Sequence, residues 1–143
     1  MQFVLDCSVA ISWCLVDENN NYANAILAMM VDSEAFVPGI WSLEIANTLV
    51  VAERRNRITQ DQSEQAITLL QSLLIQVDLA TDKNALDSTL KLARREGLAA
   101  YDAAYLELAL RLKLPLATLD NRLAEAATRC GVSLIVVDEQ SSI

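Results

Sequence analysis

The sequence predicts an α/β fold in which helices cover both faces of a parallel sheet. Short apolar segments alternate with stretches of helical apolar spacing, the pattern of repeated strand–helix–strand units. The last of these segments, Ser133 to Val137, is apolar along its length, as a strand buried on two faces should be. Apolar residues make up 53% and charged residues 21%, with few glycines or prolines, which suits a compact core rather than disorder.

Gln2 to Leu5 is a run of strand formers ending at Asp6, and Ser8 is placed to cap a helix carrying Val9, Ile11 and Trp13. Asp17 to Asn21 is polar and reads as a loop, and Tyr22 to Val31 has helical spacing. Ala35 to Val37 is a second strand stopped by Pro38-Gly39, and Ile40 to Arg55 is a helix. Thr59 and Gln62 form a capping box opening a helix through Leu74, followed by a strand at Ile75 to Leu79. Thr81 or Asp82 should cap a helix with Leu86, Leu90 and Ala93 on one face, ended by Gly97. A helix from about Leu98 leads through Pro115 to the strand Leu116 to Leu119, which delivers Asp120. A helix from Asn121 to about Cys130, stopped by Gly131, precedes the last strand. With 143 residues and no repeat or linker, residues 1–143 are expected to form a single domain.

Composition removes several chemistries. There is no histidine, so Ser-His-Asp and Cys-His catalysis and imidazole acid–base chemistry are absent. Cys7, Cys14 and Cys130 show no CxxC spacing and are expected to be buried free thiols. No apolar run is long enough to span a bilayer and no signal-peptide pattern opens the chain, so the expectation is a soluble, cytoplasmic protein. The net charge of −8 opposes polyanion binding, which draws on basic contacts. The basic residues are clustered, however, at Arg54, Arg55 and Arg57 and at Lys91, Arg94 and Arg95. Helix C-terminal charge complementing the macrodipole explains the second cluster, next to Gly97.

The candidate chemistry rests on carboxylates. On the Leu98–Arg122 stretch, Glu107 and Arg111 can pair at i, i+4, while Asp102 falls roughly opposite, beside Leu106 and Ala109. An inward aspartate is costly unless something pairs with it. Asp120 stands at the carboxyl end of its strand, where ligand sites of open α/β sheets lie. Asp6 has the same position on the first strand, with Ser8 placed either to orient it or to cap the next helix. Each has a plain structural alternative: a loop or cap for Asp6, an N-cap for Asp120, a structural pair with an arginine for Asp102. Glu44 shares its face with Asn47, Thr48 and Arg55 and fits a solvated stripe equally well. Thr118 could hydrogen-bond the Asp120 carboxylate, and Asn121 could serve as a polar ligand or a turn residue. Converging carboxylates form an oxygen-only ligand set suited to Mg²⁺ or Mn²⁺, which can activate water and stabilise in-line displacement at phosphorus.

Val4-Leu-Asp-Cys-Ser8, Val37-Pro-Gly-Ile-Trp-Ser-Leu-Glu-Ile-Ala-Asn47, Ala100-Tyr-Asp-Ala-Ala-Tyr105 and Leu116-Ala-Thr-Leu-Asp120 resemble, in order, the acidic motifs of PIN-domain ribonucleases. The resemblance covers nearly the whole chain and is strongest to VapC-type toxins of toxin–antitoxin pairs. It implies a three-layer α/β/α sandwich with a central, mainly parallel five-stranded sheet. It also implies Asp6, Glu44, Asp102 and Asp120 as a catalytic quartet holding one or two Mg²⁺ or Mn²⁺ ions, which Ser8, Thr118 and Asn121 would support by the positions described above. The implied activity is endonucleolytic RNA cleavage, and the implied partners are a cognate antitoxin and a second copy in a homodimer. Arg54, Arg55 and Arg57 then become candidates for RNA or antitoxin contact. Two competing readings remain: a phosphate-accepting aspartate domain, which lacks the acid adjacent to Asp6 and a lysine after Lys113, and a non-catalytic binding module on the same fold.

Overall fold

A computed structural model describes residues 1–137. Four strands form one parallel sheet: β1 (Gln2–Leu5), β2 (Glu34–Val37), β3 (Ile75–Val77) and β4 (Leu116–Ala117), in the order β3-β2-β1-β4. β1 is central. Phe3, Val4 and Leu5 are completely buried, so both faces of the strand are covered, and each side chain contributes about 1.5–3 kcal/mol by leaving water. Val4 pairs with Phe36 on one side and Leu116 on the other.

Eight α-helices surround the sheet among the described residues: α1 (Cys7–Cys14), α2 (Asn21–Met29), α3 (Trp41–Arg54), α4 (Gln60–Ser72), α5 (Thr81–Asn84), α6 (Leu90–Glu96), α7 (Ala100–Leu112) and α8 (Asn121–Arg129). α1 packs on α2, α3 and α4, while α7 packs on α6, α8 and β1. The two sets are helical layers flanking the sheet. α7 is buried almost all round, from Ala103 to Ala109, and forms the inner pillar of its layer.

The chain runs outward from β1 through β2 to β3, then crosses back to place β4 on the other side of β1. The boundary between β1 and β4 is therefore where strand order reverses, and ligands of open α/β sheets bind beyond the strands' carboxyl ends at such a point.

Several local expectations are corrected. Among the described residues the sheet has four strands rather than five: at Ser133–Val137 only Leu134 makes a bridge, to Leu116. β4 is two residues long, so it offers a neighbour little ladder, and Val136 is 87% exposed with no face to bury. The third strand ends at Val77, short of Leu79. Thr81 is the first residue of α5, not its cap; its Oγ1 accepts from Gly39 N (2.8 Å) and donates to Asp78 Oδ2 (3.2 Å), tying two loops together. A π-helical turn at Ala85–Thr89 separates α5 from α6 and shifts the helical phase. Leu86 consequently stands 88% exposed, off the face that buries Ala93.

The capping box at Thr59 and Gln62 is formed as expected, with Gln62 N donating to Thr59 Oγ1 (3.1 Å) and Thr59 N to Gln62 Oε1 (2.9 Å). Gly97 ends α6 at φ 68°, a conformation that favours glycine. All three cysteines are free; Cys7 and Cys14 are buried and Cys130 is partly exposed. No helix among the described residues is long and apolar enough to cross a membrane.

Candidate active site

Asp6 follows β1 directly and is buried. The next register step beyond Leu5 and Ala117 puts Thr118 alongside it. Thr118 Oγ1 donates to Asp6 Oδ2 at 2.8 Å and Ser8 Oγ donates to the same oxygen at 2.6 Å. Ser8 therefore caps nothing, since α1 already begins at Cys7; its oxygen also accepts from Leu119 N at 3.0 Å. Thr118 binds the Asp6 carboxylate rather than that of Asp120, and reaches Asp120 only through its backbone N–H at 3.0 Å. The two hydroxyls thus sew the ends of β1 and β4 together at one aspartate.

Asp120 caps α8: its Oδ1 accepts from Arg122 N (2.9 Å) and Leu123 N (3.2 Å). Asn121 is the first residue of α8, exposed, and makes no side-chain hydrogen bond among the described residues. Glu44, in the first turn of α3, is half-buried, not part of a solvated stripe. Its Oε1 accepts from the Tyr105 hydroxyl at 2.6 Å, and Tyr105 is only 1% exposed. Asp102 lies in the first turn of α7, one turn before Tyr105, and has no hydrogen-bond partner among the described residues.

The electrostatics separate these acids from others on the same rim. Burial raises the pKa of Asp6, and the neighbouring charge of Asp120 adds to this against the two hydroxyl donors. Burial raises Glu44 as well, with the charges of Asp6 and Asp102 reinforcing it against the Tyr105 bond. Burial and then the charges of Asp120 and Asp6 raise Asp102, and Arg122 alone offsets them. Asp78, at the end of β3, is the contrast. Arg111 Nη1 and Nη2 grip it at 3.2 and 2.6 Å, and that pairing holds its carboxyl below the usual range. Arg111 also pairs with Glu107 at 2.8 Å, as the i, i+4 spacing implies; Glu107 is buried while Arg111 keeps contact with solvent. Asp78 is neutralised by the protein, whereas Asp6, Glu44 and Asp102 are left wanting positive charge.

An oxygen-only set with uncompensated charge fits a hard divalent cation in its chemistry. Among the described residues, however, no three acidic or cysteine side chains stand close enough to form a ready-made metal cage. Asp6, Glu44, Asp102 and Asp120 nevertheless stand near enough for their charges to act on one another.

Arg54, Arg55 and Arg57 are not brought to this pocket. Arg54 lies ten residues beyond Glu44 on α3, about 15 Å along the axis. Arg57 is occupied by Asp17, through two bonds of 3.0 Å. Tyr105, Asp78 and Arg122 were missed by sequence reasoning. For Tyr105 a signal existed, since it lies three residues after Asp102 and shares its side of the helix.

The family model of the PIN domain matches residues 3–129. The chain belongs to the PIN-domain family. A curated relative, Ribonuclease VapC3 of Pyrobaculum aerophilum, is 26% identical over 125 residues, covering 87% of this chain and 94% of the relative. Among solved structures, PAE2754 from Pyrobaculum aerophilum superposes with a TM-score of 0.65 at 20% identity, covering 88% of this chain and 79% of its own. VapBC2 from Rickettsia felis, solved bound to a DNA fragment from their promoter, gives a TM-score of 0.68 at 14% identity, covering 96% of this chain and all of the matched chain. These likenesses show a PIN-domain architecture of parallel sheet and flanking helices.

Proposed function

We propose that this PIN-domain chain is a metal-dependent endoribonuclease, the toxin of a type II toxin–antitoxin pair acting in the cytoplasm. The observation that carries the reading is the charge imbalance at the β1–β4 crevice. Asp6, Glu44 and Asp102 are pushed toward protonation by burial and by one another, while Asp78 on the same rim is neutralised. A site that evolved only for stability would have paired these acids as Asp78 is paired. The relative named as a ribonuclease, matched over nearly its whole length, supplies the reaction class.

Asp6, Glu44, Asp102 and Asp120 would hold one or two Mg²⁺ or Mn²⁺ ions. Such an ion, when bound, supplies positive charge for the phosphoryl oxygens and lowers the pKa of a water. The protein's part is orientation. Ser8 and Thr118 fix Asp6 through Oδ2, Tyr105 fixes Glu44 through Oε1, and the first N–H groups of α8 fix Asp120 through Oδ1. One oxygen of each is thereby spent on the protein and the carboxylate is held in a single rotamer. The reaction is attack of water oxygen on phosphorus with departure of the ribose oxygen, leaving a phosphomonoester and a hydroxyl end. No lysine acts on Asp6, Glu44 or Asp102, which leaves the phosphate-accepting aspartate reading without its usual cation. A small antitoxin whose tail fills the crevice and a homodimer complete the proposal.

The test is cleavage of total RNA by purified protein with Mg²⁺ or Mn²⁺ and with EDTA. The parent should cleave only with metal, and Asp102→Asn should lose about 100-fold or more while melting as a folded protein. Equal cleavage in EDTA removes the metal. Equal cleavage by Asp102→Asn removes the residue. No cleavage and no Mn²⁺ binding at millimolar concentration favours a non-catalytic module.

A further inference from the structure

A chain with a net charge of −8 must still hold a polyanion if it cuts RNA. The arginines at the end of α3 are remote from the carboxylates, Arg54 lying about 15 Å along the helix from Glu44. A different group stands at the crevice. Glu96, the last residue of α6, has a side chain only 9% exposed, and Arg95 Nε (3.0 Å) and Arg129 Nε (2.9 Å) both bind it. Those two guanidiniums are themselves mostly in solvent. One residue on, the Gly97 carbonyl accepts from Arg122 Nη2 at 2.8 Å. Arg122 follows Asp120 by two residues, and its charge is the one that reaches Asp102. Arg95 also donates to Cys130 Sγ at 3.6 Å.

The Glu96 carboxylate, in a partly exposed residue, and the next backbone carbonyl thus hold three exposed arginines from two elements. Arg122 and Arg129 are seven residues apart, two turns along one face of α8 and about 10 Å from each other. Glu125 lies between them on the helix and pairs with neither among the described residues. Three arginines against Glu96 and Glu125 leave a small net positive charge on a strip that starts beside Asp120. Guanidiniums already fixed by hydrogen bonds lose little freedom on meeting a phosphate and match its geometry.

We infer that Arg95, Arg122 and Arg129 form the track that holds RNA phosphates flanking the scissile bond. The inference rests on the ribonuclease reading and gives that site its substrate path. It also eases the charge conflict locally, because these arginines stand apart from Asp6, Glu44 and Asp102.

The test is binding of a fluorescent single-stranded oligoribonucleotide to the full chain in EDTA, by anisotropy across a range of salt. Arg122→Gln leaves the Glu96 pairs intact and should make the slope of log affinity against log salt shallower by about 0.7. The triple change to Gln at Arg95, Arg122 and Arg129 should make it shallower by about 2 and weaken binding tenfold or more. Arg54→Gln with Arg55→Gln should stay within about twofold of the parent, a fraction of what one lost phosphate contact removes. If the triple variant melts early, the single variant decides. An unchanged slope in Arg122→Gln, or an equal loss in the α3 variant, overturns the track. So does an unchanged RNA affinity with weakened binding of an acidic peptide, which would assign the arginines to a protein partner. A parent that binds no RNA without metal also overturns it, whereas the ribonuclease reading is judged separately by cleavage with metal.

Discussion

Tyr105→Phe removes one oxygen atom and keeps the ring, so it isolates the bond that holds Glu44. The bond is short, 2.6 Å, within the range of hydroxyl donors to carboxylates, and its donor is 1% exposed. Hydrogen bonds to charged groups contribute about 1.5–3 kcal/mol. Glu44 is half-buried, so water can replace the lost donor in part, and the lower end, about 1.5 kcal/mol, is expected. For a chain of this size that corresponds to a fall in Tm of roughly 3–6 °C. The assay is thermal and urea unfolding in EDTA at neutral pH, with the midpoint shifting and the urea slope unchanged. In a Glu44→Gln background the acceptor is neutral and the effect of Tyr105→Phe should shrink by about half. Mn²⁺ affinity should also fall in Tyr105→Phe, and this loss should vanish with Glu44→Gln. A Tm within 1 °C of the parent, or equal effects in both backgrounds, would refute the claim that Tyr105 acts through Glu44.

Arg111→Ala strands buried Glu107 and largely buried Asp78. It should destabilise by about 2–3 kcal/mol in urea unfolding, less than a fully buried pair because the Arg111 side chain is 29% exposed. Asp6, Glu44 and Asp102 have pKa values raised above their unfolded values of about 4, so the folded metal-free chain binds more protons in that window. Their contribution is complete below about pH 4 and is lost as pH rises through the raised values, so stability in EDTA should fall from about pH 4 toward neutrality. Mn²⁺ should reverse that trend, and a flat or rising profile in EDTA would contradict the burial argument. Burial pushes the Cys14 thiol up to about 11 and raises Cys7 further, with the nearby carboxylates adding to it. Alkylation of the folded protein at mildly basic pH should therefore label Cys130 alone, as peptide mapping would show.

What local chemistry decides was legible in the chain. Thr59 and Gln62 satisfy each other's backbone within four residues, and Gly97 ends its helix by its own backbone freedom. The strands were legible where an apolar run met a turn, as at Val37-Pro38. What depends on distant partners was not. Thr81 reads as a cap by type, but its hydroxyl is claimed by Gly39, 42 residues away. Thr118 belongs to Asp6 only because β4 lies beside β1, and strand order is not written in any one segment. Leu86 fits an apolar face on a regular helix, and the π-helical turn moves it off that face. Asp78 and Asp6 are alike in sequence, each an aspartate ending a strand; only the fold brings Arg111 to one and not the other.

The four acids share a property that explains both their ambiguity and their chemistry. Asp6 occupies the N-cap position of α1 and Asp120 that of α8, while Glu44 and Asp102 sit in the first turns of α3 and α7. An acid at a helix N-terminus is favoured by about 0.3–1 kcal/mol wherever it occurs, so each has a complete structural explanation when taken singly. Each acid carries its own helix N-terminus, whose partial positive charge partly offsets the repulsion among the acids. The offset is incomplete, because Asp6, Glu44 and Asp102 still stand above the ordinary carboxylate range. Helix dipoles supply fractional charges at fixed points and cannot move to meet all four carboxylates. On the metal-dependent reading proposed above, a small divalent cation would supply whole charges among them, and the helix ends make the acids tolerable until it binds.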